Sequence, residues 1–142
     1  MTIGYPPQAD EARMLAEQTT EPPLDQLLPV AGHAELVAAI DATRRVHVEE
    51  SVNRFVVALL RHTRASDRLA LGGSPRSGIA LLRLAKARAL VERRDFVVPE
   101  DVVSLAGPVL AHRLILAPEA RATGVTVEEV VAEALDATPT PV

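Results

Sequence analysis

The 142-residue sequence contains no cysteine and no tryptophan, and Tyr5, Phe55 and Phe96 are its only aromatic residues. Without cysteine there is neither a disulfide nor a thiolate metal site, so the fold must hold by packing alone. The chain is nevertheless 48 % hydrophobic, and its core must come from Leu, Val, Ile and Ala, a composition suited to packed helices. No apolar run approaches the roughly 20 residues of a membrane span, and the N-terminus lacks the basic and apolar regions of a signal peptide. A cytoplasmic protein is the expectation. Lysine is nearly missing too, since Lys86 stands alone. A phosphate-binding loop of the Walker A type needs glycines followed by Lys and Ser or Thr, and that loop is excluded. No acidic pair follows an apolar strand to hold magnesium; Glu49-Glu50 and Glu128-Glu129 read as charges in the first turns of helices. The histidines at 33, 47, 62 and 112 lack metal-ligand spacing, and no Ser, His and acid can be assigned as a triad. No metal site is expected, and the chain alone is not expected to catalyse a reaction.

Charge is present in quantity but unevenly placed. Between Arg44 and Arg94 there are 12 basic residues against Glu49, Glu50, Asp67 and Glu92, while the rest of the chain holds 3 basic and 15 acidic residues. A basic middle between acidic ends suits an anionic ligand or an acidic protein surface. Internal neutralisation, with acidic ends folded back on the middle, accounts for the same asymmetry and stays open.

Taken in order, Ile3-Gly4-Tyr5-Pro6-Pro7 reads as the continuation of a longer chain. Residues 8–18 form a short helix candidate, ended by the Thr19–Pro23 run TTEPP, so that residues 1–23 read as a linker. A helix over 34–44 places Leu36, Val37, Ala39, Ile40 and Thr43 on one side. Val52, Phe55, Val56, Leu59, Leu60 and Thr63 recur at helical spacing and predict an inward stripe, with Arg54, Arg61, His62 and Arg64 on the remaining surface. Residues 66–73 read as a loop. Val46–Val48 and Phe96–Val98 are extended and predict a minimal two-strand bridge, Pro99 opens another helix, and Gly107-Pro108 should kink or divide it before Val109–Arg113. Thr126 with Glu129 predicts a capping box for a last helix ending near Leu135, and residues 136–142 read as a disordered tail. The whole is an all-α bundle of about five to six helices over residues 24–135.

The most informative stretch is Gly72–Leu90, GGSPRSGIALLRLAKARAL. Ser74 is a good N-cap and Pro75 fits the first helical position, which places Arg76 in the first turn. A guanidinium there is poorly matched to the helix's own partial positive charge, and better matched to an anion docking nearby. The plainer reading is a surface arginine with a charged partner on a loop. Arg83 follows seven residues later on nearly the same face, so that the two could reach a phosphate chain; alternatively Arg83 snorkels to solvent from an apolar helix. The helix is apolar around most of its circumference and is expected at the centre of the bundle.

The run from Leu71 to Leu116, with the Ser-Pro-Arg corner and Asp95-Phe96-Val97-Val98-Pro99-Glu100-Asp101-Val102, resembles the C-terminal lid of MoxR-type AAA+ ATPases. The resemblance extends to Ile3-Gly4-Tyr5-Pro6, like the junction leaving that family's ATPase core, to Val46–Ser51 and to Ala117–Leu135. It implies that Arg76 is the sensor 2 arginine, reaching from the lid to the γ-phosphate, with Ser74, Pro75 and Arg83 beside it at the nucleotide. It further implies ATP and Mg2+ as cofactors of a full-length protein, a hexameric ring in which the lid meets its own AAA+ core and neighbouring subunits, von Willebrand factor A domain partners, and chaperone-like assembly or maturation of protein complexes. Walker A, Walker B, sensor 1 and the arginine finger are absent here, so ATP hydrolysis would belong to the longer protein. A stand-alone helical adaptor, or a binding module for nucleic acid or acidic proteins using residues 44–94, are the alternatives.

Overall fold

A computed structural model describes residues 4–17 and 23–141. The chain divides into two compact units, Met1–Val37 and Ala38–Val142. In the first, helix α1 (Gln8–Glu17) starts after Pro7, whose carbonyl accepts from the Asp10 and Glu11 amides at 2.9 and 3.0 Å. Arg13 pairs with Asp10 at 2.9 Å on its outer surface. No residue of α1 is buried, and Met14 and Leu15 stay exposed. The predicted break at Thr19–Pro22, with Gln18 and Ile3, lies outside the described residues.

Helix α2 (His33–Arg45) appears where periodicity placed it, but its expected apolar side buries nothing: Leu36, Val37 and Ile40 remain exposed. Amphipathic spacing supplies the stripe, and burial needs a facing surface.

The second unit holds the core. Helix α3 (Glu50–Ala65) buries all six residues of its predicted stripe. Helix α4 (Pro75–Val91) packs on α3 and on α5 (Pro99–Leu110), and α7 (Val127–Asp136) closes the bundle against α3 and α5. Leu59, Leu81, Val102 and Leu110 are fully buried where these helices meet. The central position expected of α4 holds on one face only. Its buried residues are Ser77, Gly78, Leu81, Ala85 and Ala89, mostly small, which lets neighbouring helices approach closely, whereas Ile79, Leu84 and Val91 face outward.

Several local expectations need correction. Residues 66–73 are not all loop: β1 (Leu69–Leu71) pairs antiparallel with β2 (Ile115–Leu116), and the Ala117 amide donates to the Arg68 carbonyl at 2.8 Å. The bridge predicted between Val46–Val48 and Phe96–Val98 exists as one parallel bridge, His47 with Phe96. Gly107-Pro108 does not divide its helix, since α5 runs through to Leu110 before a 3₁₀ turn at Ala111–Arg113. Gly107 carries no Cβ to clash with the proline ring, so the residue before Pro108 can stay helical. A short helix, α6 (Pro118–Ala122), brings the count to seven α-helices among the described residues.

The Thr126–Glu129 capping box forms in both directions at 3.2 and 2.8 Å. Beyond it, Thr138 falls within the expected disordered tail, yet its side chain is buried at 3 % exposure. Its hydroxyl donates to the Ala134 carbonyl at 2.6 Å and accepts from His62 Nδ1 at 2.8 Å, tying the chain end to α3. Among the described residues no helix is long and apolar enough to cross a membrane.

Candidate functional site

The corner before α4 is built by close approach rather than by unusual backbone. Neither Gly72 nor Gly73 has a positive φ. Instead, a Cβ on Gly72 would stand 2.6 Å from the Arg64 Cα, and one on Gly73 would stand 2.5 Å from Leu60 Cδ2. The Gly73 amide donates to the Thr63 hydroxyl at 2.9 Å, and that buried hydroxyl donates onward to the Leu60 carbonyl at 2.8 Å. The glycine pair is thereby pinned to the last turns of α3.

From this anchored point Ser74 caps α4, its hydroxyl accepting from the Ser77 amide at 3.3 Å, and Pro75 takes the first helical position. Arg76 follows on the surface. Among the described residues its guanidinium has neither a hydrogen bond nor an ion pair, so the plainer reading, a surface arginine held by a loop carboxylate, finds no carboxylate here. Of the four residues expected at an anion, Ser74 uses its hydroxyl as the cap and Pro75 has no donor; they shape the corner. Arg76 and Arg83 keep free donors.

Arg83 lies on the wall of a groove of about 660 Å³ between α2 and α4, with Ile40, Ile79 and Leu82 as apolar surface and Arg44 and Lys86 on its rim. Lys86 donates to the Arg44 carbonyl at 3.1 Å, and Arg44 pairs with Asp41 at 2.9 Å. Arg83 has no such partner among the described residues.

The basic middle is partly neutralised within the fold. Arg68 pairs with Glu133 at 2.6 Å, Arg54 with Glu50, and both Arg88 and Arg94 with Asp101. Two of the histidines have partners close in sequence. His47 sits 3.0 Å from Glu49, and Arg113 donates to His112 Nε2, which leaves His112 Nδ1 to donate to the Pro108 carbonyl. No group of three metal-binding side chains occurs among the described residues.

Sequence reasoning missed the role of Asp101, which it named only within the Asp95–Val102 run. Asp101 is 1 % exposed and receives both Arg94 nitrogens, at 2.8 and 2.9 Å, with the Val98 amide at 3.0 Å. Burial pushes its carboxyl up, but the Arg94 hydrogen bonds, the Val98 amide and the charges of Arg94 and Arg88 outweigh it and hold the group below the ordinary carboxylate range. Hydrogen bonding to Asp101 raises Arg94 in turn. The signal was the spacing from Val98 to Asp101, half of a capping box, in which the carboxylate reaches back to the amide before the helix. This cluster ties the last turn of α4, through Arg88, and the turn after it, through Arg94, to the first turn of α5.

The family model described as the AAA lid domain matches residues 61–134. The chain is 34 % identical over 142 residues to the uncharacterised protein YeaC of Bacillus subtilis, covering all of this chain and 44 % of the relative. It is 29 % identical over 140 residues to chaperone MoxR1 of Mycobacterium tuberculosis, covering 92 % of this chain and 37 % of that protein. The crystal structure of a candidate ATPase from Cytophaga hutchinsonii superimposes with a TM-score of 0.82 at 24 % identity, over 99 % of this chain and 45 % of the other, and supports the fold. The chain thus spans less than half the length of these relatives.

Proposed function

As the chain belongs to the AAA lid domain family, in its MoxR-type branch, we propose that it closes over ATP held by an AAA+ core and places Arg76 at the γ-phosphate as the sensor 2 residue. In this reading residues 24–135 are the lid, residues 1–23 join it to the core, and the core belongs to the longer protein. Bound ATP with Mg2+ supplies the phosphoryl group that hydrolysis transfers to water. Arg76 stabilises charge that develops on that group, and Arg83 adds positive potential along the same face. The single observation that carries the reading is Arg76 itself: an exposed guanidinium without a partner among the described residues, at the start of a helix whose corner is pinned to α3 by Gly72, Gly73 and Thr63. A surface arginine kept only for solubility needs no such anchored platform.

The same reading makes the lid a partner of neighbouring subunits in a hexameric ring and, through them, of a von Willebrand factor A domain protein. Its output is chaperone-like assembly or maturation of protein complexes. The test is Arg76→Ala in a complete ATPase carrying this lid. Turnover should fall by about 10²-fold, with ATP affinity changed far less, because the contact strengthens as charge develops. Unchanged turnover removes Arg76 from the site.

A further inference from the structure

A second cleft lies at the far end of α4, about 22 Å along the helix axis from Arg76. It is an open cleft of about 660 Å³ whose lining combines the apolar Ala42, Val46 and Leu90 with the charged Arg45, Arg93 and Asp95. Arg94 also touches it, but that guanidinium is held by Asp101. Arg45 and Arg93 are different. Among the described residues neither side chain has a hydrogen bond or an ion pair, although Asp95 lines the same cleft.

Arg93 is also the only described residue other than glycine with a positive φ, at 59°. It ends α4 in the position where a helix most often uses glycine, with the Arg94 amide reaching back to the Ala89 carbonyl at 2.8 Å and its own amide to Leu90 at 3.0 Å. Complementing the negative end of the helix dipole explains a cation somewhere in this turn, and Arg88 already sits in the last turn of α4. It does not explain an arginine in the one backbone conformation that disfavours a side chain.

We propose that this cleft binds an acidic peptide segment of a partner protein, with Arg45 and Arg93 each taking a carboxylate and an apolar side chain between them resting on Ala42, Val46 and Leu90. Guanidinium forks match planar carboxylates in two-point contact, and the apolar wall suits a residue flanked by acids. An extended nucleic acid fits less well. It would present a run of phosphates and no apolar side chain, which leaves the wall of Ala42, Val46 and Leu90 unused. The site stands apart from the nucleotide reading of Arg76, so either can fail without the other.

The experiment is fluorescence anisotropy with a labelled eight-residue peptide of alternating Glu and Leu, set against the same peptide with Gln for Glu and against single-stranded DNA. The parent chain should prefer the Glu peptide, and Arg93→Gly should weaken that binding about tenfold while raising the melting temperature by about 3 °C, because glycine relieves the left-handed position. Arg45→Gln should weaken binding similarly. Arg61→Ala, which removes an exposed arginine from α3, should leave it unchanged. Equal binding of the Glu and Gln peptides, tighter binding of DNA, an equal loss in the Arg61 variant, or undiminished binding by the Arg93→Gly variant would overturn the proposal.

Discussion

Gly72→Ala puts a methyl group where α3 leaves no room for one. The new Cβ would lie 2.6 Å from the Arg64 Cα and 2.8 Å from its amide nitrogen, where ordinary contacts begin near 3.4 Å, so the loop and the helix must separate by most of an ångström. Arg64 Cγ, also 2.8 Å away, can rotate aside, but the other two colliding atoms are helix backbone and cannot. Overpacking of this kind costs about 2 kcal/mol. The separation also stretches the 2.9 Å bond from the Gly73 amide to Thr63 beside it, and losing that buried bond adds about 1 kcal/mol. A total near 3 kcal/mol corresponds to a fall in melting temperature of about 6–12 °C for a chain of this size. Gly78→Ala is the internal comparison. Its Cβ would meet Leu60 Cδ1 at 2.9 Å, a movable terminal methyl, and alanine gains about 1 kcal/mol of helix propensity there, so the net change should be small. Thermal melts by circular dichroism of the two variants and the parent decide the matter. A Gly72→Ala protein as stable as the parent, or less affected than Gly78→Ala, would mean that the corner is not anchored by close approach.

Asp101→Asn should flatten the acid side of the stability profile. The folded carboxyl sits below its ordinary value, so its contribution is complete above about pH 4 and is lost as pH falls further; urea titrations from pH 7 to pH 3 should show the parent losing more stability than the variant, and parallel profiles would refute this. Thr126→Ala removes the hydroxyl that accepts from the Glu129 amide at 3.2 Å, and should cost about 1 kcal/mol in the same urea assay, with no loss disproving the cap. Thr138→Val keeps the shape but deletes the links to Ala134 and His62, and should raise amide exchange at the C-terminal end of α7 while leaving α4 protected.

What could be read from the sequence follows the range of the interactions. The six-residue stripe of α3, the Ser74 cap, Pro75 at the helix start and the Thr126–Glu129 box each depend on residues within a few positions of one another, and each formed as expected. The β1–β2 pair joins segments some 45 residues apart, each too short to show alternation, and Thr138 is buried by a histidine 76 positions away. No local pattern encodes such meetings. Helix α2 errs in the opposite sense: its period was read correctly, and nothing in a period says whether a surface faces it.

The same distinction bears on Arg76. Its position at the start of α4 is a local inference, while its lack of a carboxylate partner among the described residues depends on the other elements of the fold. The Leu71–Leu116 resemblance argued for an anion without ruling out a loop carboxylate as partner. Among the described residues, five of the basic residues between 44 and 94 have acidic partners, and Arg76 has none. The corner that carries it is held by a glycine–backbone contact and by a buried hydroxyl, interactions that fix position without consuming the guanidinium. Rigid placement with an unused charge costs least when the charge meets its counter-ion from outside, since the ordering entropy has already been met by folding.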